Sequence, residues 1–143
     1  SKYIVIKGLL SFNYLEGGNK GAAWGIFSGK ILMFVIITII AIVIISIFMR
    51  NITGIMCNEG KSATLMVLQY TFGMLMAGAV GNLIDRVVNG SVVDFICFEF
   101  IDFPIFNVAD CYVTVSCVLI VVMCLLKLKE EDFNKIFTIK KNY

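Results

Sequence analysis

The sequence predicts an all-α bundle of transmembrane helices carrying a small extracytoplasmic region of β-strand and hairpin, and two observations lead there. The 143 residues are 59% hydrophobic and only 15% charged, with a mean hydropathy of +0.93. That is well above the apolar share of an average soluble domain. The apolar residues are also gathered into three runs, residues 31–49, 63–84 and 108–126. At ~1.5 Å of rise per residue, runs of about 20 residues cross a hydrocarbon core of ~30 Å. Three such spans with short connections use nearly the whole chain, which therefore holds a single membrane-embedded domain over residues 1–143.

Residues 1–16, SKYIVIKGLLSFNYLE, are too short and too charged to span. Within them Leu10, Phe12 and Tyr14 alternate with Ser11 and Asn13, the period of a half-buried strand near the membrane surface. Gly17 and Gly18 break that strand, and residues 19–27 form a loop of small residues around Trp24, whose ring suits an interfacial anchor. The first span, residues 31–49, carries no charge and ends at Arg50. A polar, glycine-bearing loop over residues 51–61 leads to Ser62, a suitable N-cap for the second span. Gln69, Thr71, Gly73, Gly78 and Gly81 interrupt that second run. Small residues let helix backbones approach closely in lipid, which places this helix at the centre of the bundle.

At the end of the second span Asn82 and Arg86 are i,i+4 partners on one helical face, with Asp85 beside them. Asp85 either cancels the Arg86 charge locally or belongs to a site. Residues 87–93, VVNGSVV, read as a hairpin, because Asn-Gly tolerates the positive φ angles of a tight turn between β-branched arms. Beyond it Val92, Asp94, Ile96 and Phe98 would share one strand face, where packing does not explain a lone Asp. Pro104 punctuates the segment, and Asn107 N-caps the third span. A polar tail then carries Lys127, Lys129, Lys135, Lys140 and Lys141. With Arg50 and Lys61 these lysines place seven of the 12 cationic residues on one side of the bundle. By the positive-inside rule that side is cytoplasmic and residues 81–107 face outward.

Composition also removes several functions. The net charge of +2 is too small and too scattered to argue for nucleic acid. There is no histidine, which excludes Ser-His-Asp and Cys-His catalysis and the usual His-containing zinc sites; no metal or other cofactor is expected. Acid/base work falls to carboxylates. The five cysteines form no C-x-x-C pair and read as small buried hydrophobes. Five of the ten acidic residues, Asp85, Asp94, Glu99, Asp102 and Asp110, crowd into residues 81–110, where charge beside a membrane is costly.

Two carboxylates near one water can run general acid/base hydrolysis, because proximity and desolvation keep one protonated while the other takes a proton, the pair titrating as a unit. Asp94 and Asp110, brought together by the turn past Pro104, are the candidates. Asp110 at N3 behind Asn107 equally fits a variant of the capping box that suits the helix dipole. Glu99 and Asp102 read as solvent-facing loop charges. The alternative is a non-enzymatic membrane subunit with a carboxylate proton or ion pathway, although that would favour carboxylates at mid-membrane depth. Both candidates sit at the ends of their segments.

Asn19-Lys20-Gly21-Ala22-Ala23-Trp24, Gly78 followed by Gly81-Asn82-Leu83-Ile84-Asp85-Arg86, Val92-Val93-Asp94-Phe95, and Phe106-Asn107-Val108-Ala109-Asp110 resemble, in order and spacing, the motifs of the lipoprotein signal peptidase (signal peptidase II) family. The resemblance covers nearly the whole chain. It implies a membrane aspartic endopeptidase of the bacterial cytoplasmic membrane, cutting the signal peptide just before a diacylglyceryl-modified cysteine. Asp94 and Asp110 would be its catalytic dyad. Asn19, Gly21, Asn82, Arg86 and Asn107 would shape the substrate pocket or hold the dyad. Lipid-modified prolipoproteins and membrane lipid would be its partners. Members have four helices, so a fourth, N-terminal span is expected ahead of Lys2, with this chain beginning just after it. The chain departs from the family's pattern at Gly17-Gly18, which separate Glu16 from Asn19 where the family has the acid and the Asn adjacent.

Overall fold

The computed structural model describes residues 2–14, 16–20 and 30–138. Three helices are long and apolar enough to cross a membrane: α1 (Ile31–Glu59), α2 (Ala63–Asn89) and α3 (Val108–Leu126). α2 packs against both of the others and so occupies the central position that its small residues predicted. α2 and α3 lie tightly together at Gly78. A methyl group built there would lie 2.6 Å from the Ala109 carbonyl oxygen and 2.9 Å from Val113 Cγ2, so only glycine lets α2 and α3 meet at this depth.

Arg50 does not end the first helix, and residues 51–59 are helical rather than loop. Arginine is a good helix former. Ile45, Phe48, Met49, Ile52, Ile55 and Met56 moreover continue one three-four spacing straight through it, onto the face that packs against the core. The helix stops at Gly60, whose φ of 97° suits glycine. Its 29 residues reach about 44 Å at ~1.5 Å per residue, beyond the ~30 Å hydrocarbon core.

That overhang is covered by a fourth helix, α4 (Glu130–Phe137), in residues that read from sequence as a polar tail. Ile136 is fully buried, and the Phe137 ring lies 4.9 Å from Phe48 and 6.4 Å from Phe72. The Asn51 side-chain amide donates to the Ile136 carbonyl at 2.9 Å, and Lys135 pairs with both Glu59 and Glu131 at 2.7 Å. The main apolar cluster thus gathers the second half of α1, the first half of α2, Met123 of α3 and Ile136. It lies at the end of the bundle away from the acidic segment.

Ser62 caps α2 as its sequence suggested, its hydroxyl accepting from the Leu65 amide at 3.1 Å. The hairpin over residues 87–93 is absent, because α2 runs on to Asn89. Gly90 instead closes the helix in the left-handed region (φ 67°, ψ 11°), its N–H bonding to the Arg86 carbonyl at 3.1 Å. The positive φ read from Asn-Gly is real, but it serves a helix C-cap.

The strands β1 (Lys2–Ile6), β2 (Leu10–Asn13) and β3 (Ile96–Phe98) form one antiparallel sheet in that order. β2 is a strand as expected, but its burial is inverted: Ser11 is fully buried while Phe12 and Tyr14 are exposed. Beside it Glu99 is no solvent-facing charge, since its carboxylate pairs with Lys2 at 2.5 Å and is largely covered. Asp102 is exposed as expected. Only residues 96–98 of the expected 92–98 strand are regular. None of the five cysteines is buried; Cys117, on α3, is among the exposed side chains of a span, where lipid takes the place of a protein core.

The packing of α4 sets a test. Ile136→Ala should cost about 2–5 kcal/mol, the range for deleting a buried aliphatic side chain, and lower the melting temperature of the detergent-solubilised protein. An unchanged transition would mean that α4 does not stay on α1 in solution.

Candidate active site

Four pieces of chain converge beyond the Gly78 crossing. The last two turns of α2 supply Asn82, Asp85 and Arg86; the first turn of α3 supplies Asp110, with Asn107 as its N-cap. An extended segment brings Asp94, and the turn after β2 brings Asn19. Asn19 is paired with Val92 through two backbone hydrogen bonds of 2.8 and 2.9 Å, although the residues are far apart in sequence. Gly17 and Gly18 make that turn with φ of 80° and 66°. A side chain at position 18 would collide with Ser91, so the pair that departs from the expected pattern is built into the approach of this turn to the extended segment.

The side chains form one closed network. Asn107 Nδ2 donates to Asp94 Oδ1 at 2.9 Å and to Asn82 Oδ1 at 3.0 Å. Asn82 Nδ2 donates to Asp110 Oδ1 at 2.8 Å. Asp110 Oδ2 accepts the Asn107 backbone N–H at 3.1 Å, and Asn107 Oδ1 accepts the Asp110 backbone N–H at 3.0 Å, completing a capping box. Asn19 Nδ2 donates to Asp94 Oδ2 at 2.9 Å. Each oxygen of both carboxyl groups therefore meets a neutral N–H donor, and one residue, Asn107, donates to both groups, through its side chain to Asp94 and its backbone to Asp110.

Capping and site membership were alternatives for Asp110 in the sequence; the geometry gives it the capping box and, through Asn82, a place in the network that reaches Asp94. Asp94 is 1% exposed, and burial pushes its carboxyl above the ordinary range. The hydrogen bonds from Asn19 and Asn107 and the Arg86 charge pull the other way, while the nearby Asp110 adds to the rise. Arg86 donates from Nη1 to the Asn82 carbonyl at 3.2 Å, and its guanidinium carbon stands 5.1 Å from the centroid of the Phe34 ring of α1. Asp85 turns away from the pair. Its Oδ2 accepts the Val93 N–H at 3.0 Å, tying the end of α2 to the residue before Asp94. Nothing in the sequence separated this tether from charge cancellation with Arg86.

A cavity of about 500 Å³ opens on the network. Asn19, Arg86, Asp94 and Asp110 form its polar floor, and Phe98, Phe103, Phe106 and Val115 give apolar walls. The aromatic walls support one another, with Phe98 5.0 Å from Phe106 and 5.8 Å from Phe103. Phe98 ends β3, while Phe103 and Phe106 come from the excursion around Pro104, which returns to pair Phe106 with Ile96. Cys111 also lines the cavity. Of the residues singled out in the sequence, Asn19, Asn82, Arg86, Asp94, Asn107 and Asp110 are brought together, whereas Gly21 and Trp24 lie outside the described residues.

Residues 1–126 match the family described as signal peptidase (SPase) II. The chain is 44% identical over 127 residues to a lipoprotein signal peptidase of Staphylococcus haemolyticus, covering 87% of this chain and 73% of that protein. It is 38% identical over 138 residues to one of Clostridium tetani, covering 94% and 81%. A solved structure described as a bacterial membrane enzyme, determined in meso at 2.3 Å resolution, superposes with a TM-score of 0.67 at 34% identity, covering all of this chain and 78% of that one. With three helices able to span and a family match over most of its length, this multi-pass membrane protein belongs to the signal peptidase II family and is a peptidase.

Proposed function

We propose that the chain is an aspartic endopeptidase that removes signal peptides from lipid-modified prolipoproteins, with Asp94 and Asp110 as its catalytic dyad. The observation that carries this reading is that Asn107 donates to both carboxyl groups, from its side-chain amide to Asp94 and from its backbone N–H to Asp110, beside a largely apolar cavity that both aspartates line. A like-charged pair held this way keeps one proton between its members. The buried Asp94, whose ionised form burial disfavours, carries that proton. Asp110 takes a proton from the attacking water, whose oxygen bonds to the scissile carbonyl carbon as Asp94 protonates the carbonyl oxygen. Collapse of the tetrahedral intermediate breaks the C–N bond as the proton held by Asp110 passes to the leaving amine and Asp94 takes back the proton of one geminal hydroxyl, which restores the starting state.

The surrounding residues divide the remaining work. Asn19, Asn82 and Asn107 hold the carboxyl groups with donors that add no charge. Arg86, lining the cavity beside the aspartates, is placed to take a substrate carbonyl in its rigid fork of donors. Gly21 keeps the pocket-shaping role that the family resemblance implies for it. The apolar walls suit a lipid-bearing substrate arriving from the bilayer. The site lies at the outer face of the bacterial cytoplasmic membrane, an orientation supported by the lysine-rich opposite end.

Asp94→Asn and Asp110→Asn should each abolish cleavage of a lipidated precursor peptide, and the double variant should be no worse than either, because the two act as a unit. Asn keeps the shape but sets an NH2 against a donor, so a loss of about 1–3 kcal/mol in stability accompanies each change; melting temperatures read alongside separate this from catalysis. A folded Asp110→Asn protein with most of its activity would leave Asp110 a helix cap only.

The pH profile of kcat/KM should be bell-shaped. Its alkaline limb marks loss of the proton on Asp94. Since burial raises that carboxyl, the limb lies above the ~3.9 of an ordinary aspartate. The Asn19 hydrogen bond favours the ionised form, so Asn19→Ala should move the alkaline limb to still higher pH. A limb that stays in place would dissociate it from Asp94.

Arg86→Lys keeps the charge but not the fork, and should lower kcat/KM at least tenfold, the scale of a charge-assisted hydrogen bond. Near-normal cleavage would reduce Arg86 to an interfacial charge.

A further inference from the structure

We propose that Phe34 of α1 is a positioning residue for substrate binding: its ring holds the Arg86 guanidinium by one face, so that the N–H edge stays open toward the cavity. The guanidinium carbon lies 5.1 Å from the ring centroid, within the range of a cation–π contact. Arg86 lines the cavity and donates one N–H to the Asn82 carbonyl. Among the described residues no carboxylate forms an ion pair with it within 4.0 Å, although Asp85, Asp94 and Asp110 are near enough to be felt electrostatically.

The choice of partner has a chemical consequence. A guanidinium has five N–H donors, and a bidentate carboxylate would occupy two of them on the edge that a substrate carbonyl needs. An aromatic face attracts the same cation and uses none. Phe34 stands at the start of α1, its amide bonded to the Lys30 carbonyl at 3.3 Å, and is half-buried while its neighbour Leu32 is 72% exposed. The contact ties the start of α1 to the cavity-lining Arg86.

The inference rests on the reading of Arg86 as a substrate ligand, and its test separates the two. In full-length protein with a lipidated precursor peptide, Phe34→Leu should raise KM about three- to tenfold with kcat within about twofold, the loss of one cation–π contact. Phe34→Tyr, which keeps the π face, should restore KM. In an Arg86→Gln background Phe34→Leu should add nothing. Independently of activity, the ring current of Phe34 should displace the Arg86 side-chain N–H resonance in wild type and Phe34→Tyr, and not in Phe34→Leu.

Absence of that displacement in wild type, or equal losses in Phe34→Leu and Phe34→Tyr, overturns the proposal, the latter because the ring would then matter only as packing. A raised KM in Arg86→Gln with an unchanged KM in Phe34→Leu overturns it while leaving Arg86 as a ligand. A normal KM in Arg86→Gln removes Arg86 from binding, and the role of Phe34 with it.

Discussion

One carboxamide holds the site together. Both hydrogens of the Asn107 amide are committed, one to Asp94 and one to Asn82, and its oxygen accepts the N–H that begins α3. Because the residue is almost fully buried, each of those bonds is made where water cannot replace it. Leaving any one unmade exposes a buried polar group to its full desolvation cost, about 1–3 kcal/mol. The same side chain therefore starts a helix, sets the position of one carboxyl group and braces the residue that holds the other.

Such a network needs backbones placed within tenths of an ångström, and packing elsewhere supplies the placement. Gly78 lets α2 lie against Ala109 and Val113, which brings Asn82, one turn further along, to hydrogen-bonding distance of Asp110. Asp85 then anchors the residue before Asp94 to the end of α2, and the bridge to Asn19 holds the other side. The apolar cluster that stabilises the bundle lies toward the opposite end, with α4 closing it. This separation leaves the polar end free to be an open cavity without removing atoms from the core.

The places where expectation and structure differ share a cause: a local signal with two uses. Asn89-Gly90 supplies a positive φ, which suits a hairpin turn and a helix C-cap alike; here it serves the cap, and α2 gains one further turn, bearing Asp85 and Arg86, by continuing to Asn89. Arg50 marks a membrane boundary, yet a helix does not end where the hydrocarbon does, and the buried face of Ile52, Ile55 and Met56 carries it on. Phe133, Ile136 and Phe137 are a three-four pattern too short to stand alone among lysines and acids; contact with Phe48 and Phe72 gives them a core. In β2 alternation identified the strand but assigned its faces the wrong way, since at a membrane surface apolar side chains also have reason to point outward.

The sequence by itself determined the three spans, the caps at Ser62 and Asn107, and the chemistry available, because hydrophobic length, capping side chains and the lack of histidine are local or compositional properties. It also singled out Asp94, since a carboxylate among apolar neighbours carries a cost that calls for a partner. Only the tertiary structure decided which partners: Asn19 and Asn107 for Asp94, Asn82 for Asp110, Val93 for Asp85 and the Phe34 ring for Arg86. Those contacts join residues on different elements, and their existence depends on how closely α2 and α3 cross, a distance set by the glycine at position 78 and the backbone it meets.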